Sequence, residues 1–259
     1  MHIRAAMVAL AMLAGPALAG EPYTAPALQP ARTLEPPADL RADATALLQA
    51  VQTENLDAIG RWIAPQVTIV SAGLDMGLPR HVETAGPWPN GRAALAALGQ
   101  DTGGDWDLPP DADIGEFLSA MELDFIEGSL TDGQPWGTDP LLEGTICTYG
   151  FHDFSPAEVQ KVADQLGIAS SSFVMVDDGA AVRDKPGGKQ IGTLSAGRLY
   201  AMDYDTDSPA DWMALHLPQG GVGFIAVGEE GLSKPYASGL CFRKGKPGWQ
   251  VVGQASTGL

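Results

Sequence analysis

The sequence predicts an α+β protein in two parts: an N-terminal α/β domain closed by a C-terminal β-hairpin, and a small β-barrel between them. Apolar residues recur with a helical period in several segments before residue 167. Residues 173–227 instead hold short β-branched and aromatic runs separated by Gly, Pro and Asp clusters, which is typical of a small closed sheet. Two alternating runs at residues 236–243 and 249–254 follow the barrel and predict the closing hairpin.

The first 40 residues predict a signal peptide and a flexible leader. Residues 1–19 combine Arg4, an uncharged apolar run and the small residues Ala17 and Ala19, the pattern of a cleaved secretory signal. The apolar run is shorter than the roughly 20 residues of a membrane span, and no later stretch reaches that length. Residues 20–40 are rich in Pro and Ala and predict a flexible leader. We therefore expect a periplasmic or secreted protein without a membrane span after signal removal.

The N-terminal domain is predicted to cover residues 41–168. Its helical periods lie at residues 43–52, 55–62, 92–99 and 113–126, and strands are expected at 67–70 and around 145–147. Residues 81–90 are expected to form a loop. A last helix is expected from Ser155 to Gly167, with Ser155 as N-cap, Pro156 in the first turn and Glu158 closing a capping box.

The predicted barrel, residues 171–230, carries an ordered set of motifs. They are Val182-Arg183 with Pro186-Gly187, residues 191–194 with Gly197, Asp211-Trp212, and Gly220 to Phe224. This order resembles the bacterial SH3-like domain of cell-envelope proteins, and the resemblance implies a small β-barrel. Phe224 stands where that family usually has Trp, and residues 203–209 are unusually acidic. The resemblance indicates fold more than function, because one fold hosts many functions.

Two resemblances concern the N-terminal part. The helix, helix, strand order over residues 43–70 resembles the start of the nuclear-transport-factor-like α+β folds. It also resembles the N-terminal half of exported alphaproteobacterial proteins that carry a C-terminal SH3-like domain. Neither resemblance supplies catalytic residues.

The two cysteines, Cys147 and Cys241, predict one disulfide, since pairing is the default in an oxidising compartment; two free buried thiols are the alternative. Neither cysteine belongs to a Cys-x-x-Cys pair. The bond would place the C-terminal hairpin, residues 235–259, on the N-terminal domain, with the barrel inserted before the last two strands.

The formal charge of −17 disfavours nucleic acid and anionic lipid as partners, because a strongly acidic surface repels phosphates. A solvated surface is the simplest interpretation of this charge, and a cationic partner is the alternative.

No residue pattern predicts catalysis, a metal or a cofactor. His81, His152 and His216 are isolated in sequence, and the aspartates Asp105, Asp107, Asp111 and Asp113 lack the order of a calcium loop. No Gly-x-Ser-x-Gly elbow is present.

Binding is the better hypothesis, with four barrel rings as ligand candidates: Tyr200, Tyr204, Trp212 and Phe224. Core packing is the competing interpretation for Phe224 and for one face of Trp212, whereas Tyr204, beside the acidic segment, is expected to be exposed. We therefore expect a non-catalytic envelope protein that binds a peptidoglycan peptide or a partner protein. The alternatives are a cell-wall hydrolase, or hydrolase accessory, with its site in the N-terminal domain, and an acidic inhibitor of a cationic enzyme.

Overall fold

The computed structural model describes residues 21–71, 80–102, 113–131, 133, 135–228, 232, 238–246 and 248–256. The predicted signal peptide and Asp105, Asp107 and Asp111 lie outside these residues. The helices are α1 (Ala38–Gln52), α2 (Leu56–Ile59), α3 (Gly91–Thr102), α4 (Ile114–Thr131) and α5 (Pro156–Leu166). The strands are β1 (Ile63–Ser71), β2 (His81–Ala85), β3 (Ile146–Cys147), β4 (Phe173–Val174), β5 (Ala180–Arg183), β6 (Gln190–Leu194), β7 (Tyr200–Ala201), β8 (Trp212–His216), β9 (Val222–Ala226), β10 (Gly239–Gly245) and β11 (Gly248–Ser256). The mixed α+β class is confirmed.

Five strands form one sheet in the order β2-β1-β11-β10-β3. The pair β1 and β11 is parallel, and the other pairs are antiparallel. The C-terminal hairpin, β10 and β11, therefore lies in the middle of the sheet, with β1 and β2 on one side and β3 on the other. Strand β2 lies where the sequence predicts a loop, so that prediction is wrong. The sequence does not indicate a strand here because the exposed side chains of β2 show no alternation of apolar and polar residues.

The helix ends follow the capping residues of the sequence. The Asn55 side chain accepts a hydrogen bond from the Ala58 N–H at 3.1 Å, and the Ser155 hydroxyl accepts one from the Glu158 N–H at 3.3 Å. Helix α5 ends at Leu166, and its C-cap is Gly167, whose φ of 71° favours glycine. Helix α1 begins at Ala38, directly after Pro37, five residues earlier than its apolar period predicts.

The sheet separates two apolar clusters. Leu240 and Phe242 of β10 point toward the helices and pack with Leu40, Leu47 and Leu95. Between them, Cys241 points to the opposite face and forms the disulfide with Cys147 of β3, so the predicted bond is confirmed. The bond therefore covalently joins two neighbouring strands of one sheet.

The remaining strands belong to the segment that we call the strand unit, residues 173–227. It contains a two-stranded sheet, β4-β7, and a four-stranded sheet, β6-β5-β9-β8. A bridge between Met202 and Leu215 joins the two sheets.

The closed barrel predicted for this segment is not formed by the described strands. Their ladder runs from β6 through β5, β9 and β8 to β7 and β4, and it is open at both ends. The strands have two to five residues each and are separated by turns, so the hydrogen bonds between them do not continue around a ring.

The leader packs against the strand unit, which differs from the flexible segment that its composition predicts. The Tyr23 hydroxyl donates to the His216 carbonyl at 3.0 Å and accepts from the Ala201 N–H at 3.2 Å. Leu28 is buried in the same core, together with Val159 and Val162 of α5. The physical reason is that a few large side chains among the prolines bury enough apolar surface to order the segment. Helix α5, within the predicted N-terminal domain, thus packs on the strand unit.

Tyr23 gives the leader a dependence on alkaline pH. Burial raises the pKa of Tyr23 from 10.0 to about 12. The neutral phenol is therefore favoured in the folded chain, and its contribution to the free energy of unfolding is complete below pH 10 and is lost as the pH rises toward 12. We expect the wild type to lose about 2 to 3 kcal/mol more than Tyr23→Phe over this interval. Urea unfolding of both proteins from pH 9 to 12 measures the difference, and parallel curves would contradict it.

Candidate binding surfaces

The four predicted ring residues do not share one surface. Tyr200 and Phe224 are buried in the strand unit, and the Tyr200 hydroxyl both donates to the Ser195 carbonyl and accepts from the Ser195 N–H. Trp212 is half-buried. Tyr204 is 71% exposed, as the sequence predicts. Tyr204 is therefore the ring with the largest surface free for a ligand.

Tyr204 lies on a turn that Asp203 organises. The Asp203 carboxylate is buried and accepts hydrogen bonds from the backbone N–H groups of Asp205 and Thr206 at 2.9 and 3.2 Å, and from the Thr206 hydroxyl at 2.7 Å. Asp205 and Asp207 remain exposed. We call residues 203–207 the Tyr204 turn. Because three bonds fix this turn, it presents an aromatic ring beside two carboxylates with little conformational freedom to lose on binding.

A first cavity, about 530 Å³, lies between the end of α1, α2 and α4. Its apolar lining includes Val51, Leu56 and Leu123. The carboxylates that line it are Glu54, Glu116, Asp124 and Glu127. No described Lys, Arg or His lines this cavity, which we call the acidic groove. Its shape and charge suit a ligand with cationic and apolar groups side by side.

A second cavity, about 420 Å³, lies between the leader and α5. We call it the leader groove. Its lining is Thr24, Ala25, Pro26, Ala27, Glu158, Lys161, Val162, Gln165 and Arg198. The leader groove thus contains two basic residues, although the protein has 32 acidic residues and only 15 basic ones.

A buried polar cluster lies on the disulfide side of the large sheet. Arg80 binds both carboxylate oxygens of Asp139 at 2.7 and 2.8 Å, and its guanidinium stacks 4.3 Å from the Phe151 ring centre. The Tyr149 hydroxyl donates to Asp139 at 2.9 Å. Burial and the adjacent Asp139 charge raise the pKa of Tyr149 well above its usual value. This cluster connects Arg80 to the segment after α4 and is a structural feature, because its polar groups satisfy one another.

The histidines of the described chain do not form a metal site. The His152 Nδ1 lies 3.1 Å from the Gln29 carbonyl oxygen, and the His81 Nε2 lies 3.8 Å from Glu83. His216 uses its carbonyl group to hold Tyr23. Within the described ranges, no group of three His, Cys, Asp or Glu residues could hold a metal ion.

Sequence reasoning did not predict either groove. The acidic groove combines residues 51–56 with residues 116–127, and the leader groove combines residues 24–27 with residues 158–165 and Arg198. The side chains that line each groove have no common sequence motif. The basic residues in the two linings are Lys161 and Arg198. Their positions in the sequence do not show that they lie in one groove.

No family model, no curated protein and no solved structure matches this chain. Among the described helices, none has the length and apolar composition needed to cross a bilayer.

The buried ion pair predicts a large stability difference between two otherwise similar substitutions. The side chains of Arg80 and Asp139 are 7% and 0% exposed, whereas those of Arg32 and Asp153, 3.1 Å apart, are 48% and 50% exposed. Asp139→Asn leaves a buried guanidinium without its charge partner, and we expect it to lower the free energy of unfolding by about 3 to 5 kcal/mol. Asp153→Asn should cost less than about 1 kcal/mol. Urea unfolding at pH 7 compares the two variants. Similar unfolding midpoints would show that the buried ion pair contributes no more to the free energy of unfolding than the exposed pair does.

Proposed function

We propose that the chain is an exported, non-catalytic binding protein of the cell envelope whose strand unit is a bacterial SH3-like domain. Its ligand class is a peptidoglycan peptide or a partner protein. The order of the motifs supports the domain assignment: Val182-Arg183 lies on β5, Ile191 on β6, Trp212 on β8 and Phe224 on β9. The signal-like N-terminal sequence and the disulfide are compatible with an extracytoplasmic location.

The Tyr204 turn is the observation that carries this proposal. A fixed aromatic ring beside exposed carboxylates attracts ammonium groups through the ring face and through charge. Aromatic side chains on preorganised surfaces also supply much of the binding energy at protein interfaces. The turn therefore suits an amine-bearing peptide or a basic protein segment.

Retention on purified sacculi tests the proposal. We expect the mature protein to sediment with sacculi at low salt. The Tyr204→Ala variant should be retained less, with an apparent affinity for sacculi about tenfold lower than that of the wild type. Ile191→Ala is the matched control, because Ile191 is a 49% exposed apolar residue on β6 of the same strand unit. Its retention should equal that of the wild type.

Two outcomes contradict the proposal. Absence of wild-type retention at low salt would remove the wall as the ligand. Equal loss in the Tyr204 and Ile191 variants would indicate general apolar adhesion instead of binding at the Tyr204 turn.

The acidic groove supports a second function, that of an acidic inhibitor that binds a cationic enzyme. The lining there combines four carboxylates with apolar side chains, so a basic segment of a partner would gain charge complementarity and apolar contact in one place. The cavity of about 530 Å³ lies within the ordinary range of ligand sites.

A lysine- and leucine-containing synthetic peptide tests the acidic groove. Its affinity for the mature protein should fall about tenfold between 50 and 200 mM salt, because screening weakens charge-steered binding. The triple variant Glu116→Gln, Asp124→Asn, Glu127→Gln should weaken binding at least about tenfold at low salt.

The control triple Glu83→Gln, Glu143→Gln, Asp177→Asn removes three exposed carboxylates that lie outside both the acidic groove and the Tyr204 turn, and it should change the dissociation constant less than about twofold. Isothermal titration calorimetry gives these constants. If both triples weaken binding equally, the peptide responds to the total charge of the protein and the acidic groove is not its site.

A further inference from the structure

Helix α5 presents two opposite charges to the leader groove. Glu158 and Lys161 lie one helical turn apart, both are exposed, and both line the groove. Within the described ranges, neither side chain forms an ion pair. A transient contact between two exposed side chains at this spacing is weak and sensitive to salt, so a ligand can replace it.

The leader forms the opposite wall of the groove, and hydrogen bonds hold it on both sides. Ala27 forms an antiparallel bridge with Arg198, and Leu28 forms one with Phe154. The Gln165 side chain of α5 also donates to a leader carbonyl at 2.9 Å. Both edges of the leader are therefore used within the protein, and this wall has little conformational freedom to lose when a ligand binds.

Arg198 adds a second positive charge to the groove. Its guanidinium donates to the Ala25 carbonyl at 3.0 Å, which fixes its orientation and leaves further N–H donors for a ligand. Arg198 is exposed and forms no ion pair in the part of the chain that the structure describes. The lining thus combines two cations, Lys161 and Arg198, with one carboxylate, that of Glu158, and with the buried side chain of Val162.

From this charge pattern we infer that the leader groove binds an acidic α-amino acid such as glutamate. The two carboxylates of the ligand pair with Lys161 and Arg198, and its ammonium group pairs with Glu158. The charges of the ligand are then the reverse of those in the groove. The cavity of about 420 Å³ lies within the range of small-molecule sites. The inference does not involve the Tyr204 turn, so it stands or fails separately from retention on sacculi.

Simpler ligands match the groove less well. Inorganic phosphate would satisfy Lys161 and Arg198 but would approach the Glu158 carboxylate without a positive group of its own. A neutral α-amino acid would supply the ammonium group but would leave one cation without a partner. An α-amino acid with a second carboxylate meets all three charges.

Nuclear magnetic resonance titration of the ¹⁵N-labelled mature protein tests the inference, with glutamate, glutarate and norvaline compared at equal ionic strength. Glutarate lacks the ammonium group, and norvaline lacks the side-chain carboxylate. We expect saturable shifts of the Ala25, Lys161 and Arg198 amides with glutamate, with a dissociation constant of about 1 mM because the charges of the groove are exposed. Each analogue should bind at least about fivefold more weakly.

Two substitutions in the groove should affect glutamate and glutarate differently. Lys161→Gln should weaken binding of both ligands at least about fivefold. Glu158→Gln should weaken glutamate binding about fivefold but strengthen glutarate binding, because the lost carboxylate attracts an ammonium group and repels a dianion. Glutamine is a good helix former and suits the third position of a capping box, so both variants should keep α5 intact.

The matched controls remove charges outside the groove. Lys185→Gln changes an exposed lysine on the turn between β5 and β6, and Glu143→Gln changes an exposed carboxylate. Each control should change the affinity for glutamate and for glutarate less than about twofold.

Three results would overturn the inference. Equal affinity for glutamate and either analogue would remove one of the charge contacts. Equal losses of affinity in the Lys161→Gln and Lys185→Gln variants would show that the ligand responds to the total charge of the protein. Absence of saturable shifts at the Ala25, Lys161 and Arg198 amides would exclude the leader groove as the glutamate site.

Discussion

The pairing of β11 with both β1 and β10 is the constraint on which the rest of the structure depends. This last strand lies at the centre of the five-stranded sheet, with parallel bonds to β1 on one side and antiparallel bonds to β10 on the other. Without it, the strands near the start of the chain and those near its end have no common partner. The helical core packs on one face of the sheet, so the position of α1, α3 and α4 depends on the same pairing.

The two ends of the chain complete opposite parts of the molecule. The C-terminal hairpin fills the sheet of the N-terminal part, whereas the leader places Tyr23 and Leu28 in the core of the strand unit. Each part therefore contains residues from the far end of the sequence. Both candidate grooves reflect this arrangement: the acidic groove is formed by helices that lie on the shared sheet, and the leader groove exists because the leader is ordered against α5 and the strand unit.

Local rules predicted much of the fold, and long-range packing decided what they missed. The caps at Asn55 and Ser155 and the strands of the strand unit follow from patterns within a few residues, and the disulfide follows from the expected compartment. Strand β2 is held by its bonds to β1 and has no burial pattern of its own. The four rings illustrate the same limit: their sequence context does not show that Tyr200 turns inward while Tyr204, four residues later, points to solvent.

The position of the disulfide has a consequence for proteolysis. Cys147 and Cys241 are 94 residues apart in sequence, and the whole strand unit lies between them. A protease that nicks one peptide bond in this interval opens the backbone but leaves both pieces linked through sulfur. The nicked species would keep the mass of the intact chain, apart from one added water, until a reductant separates its fragments.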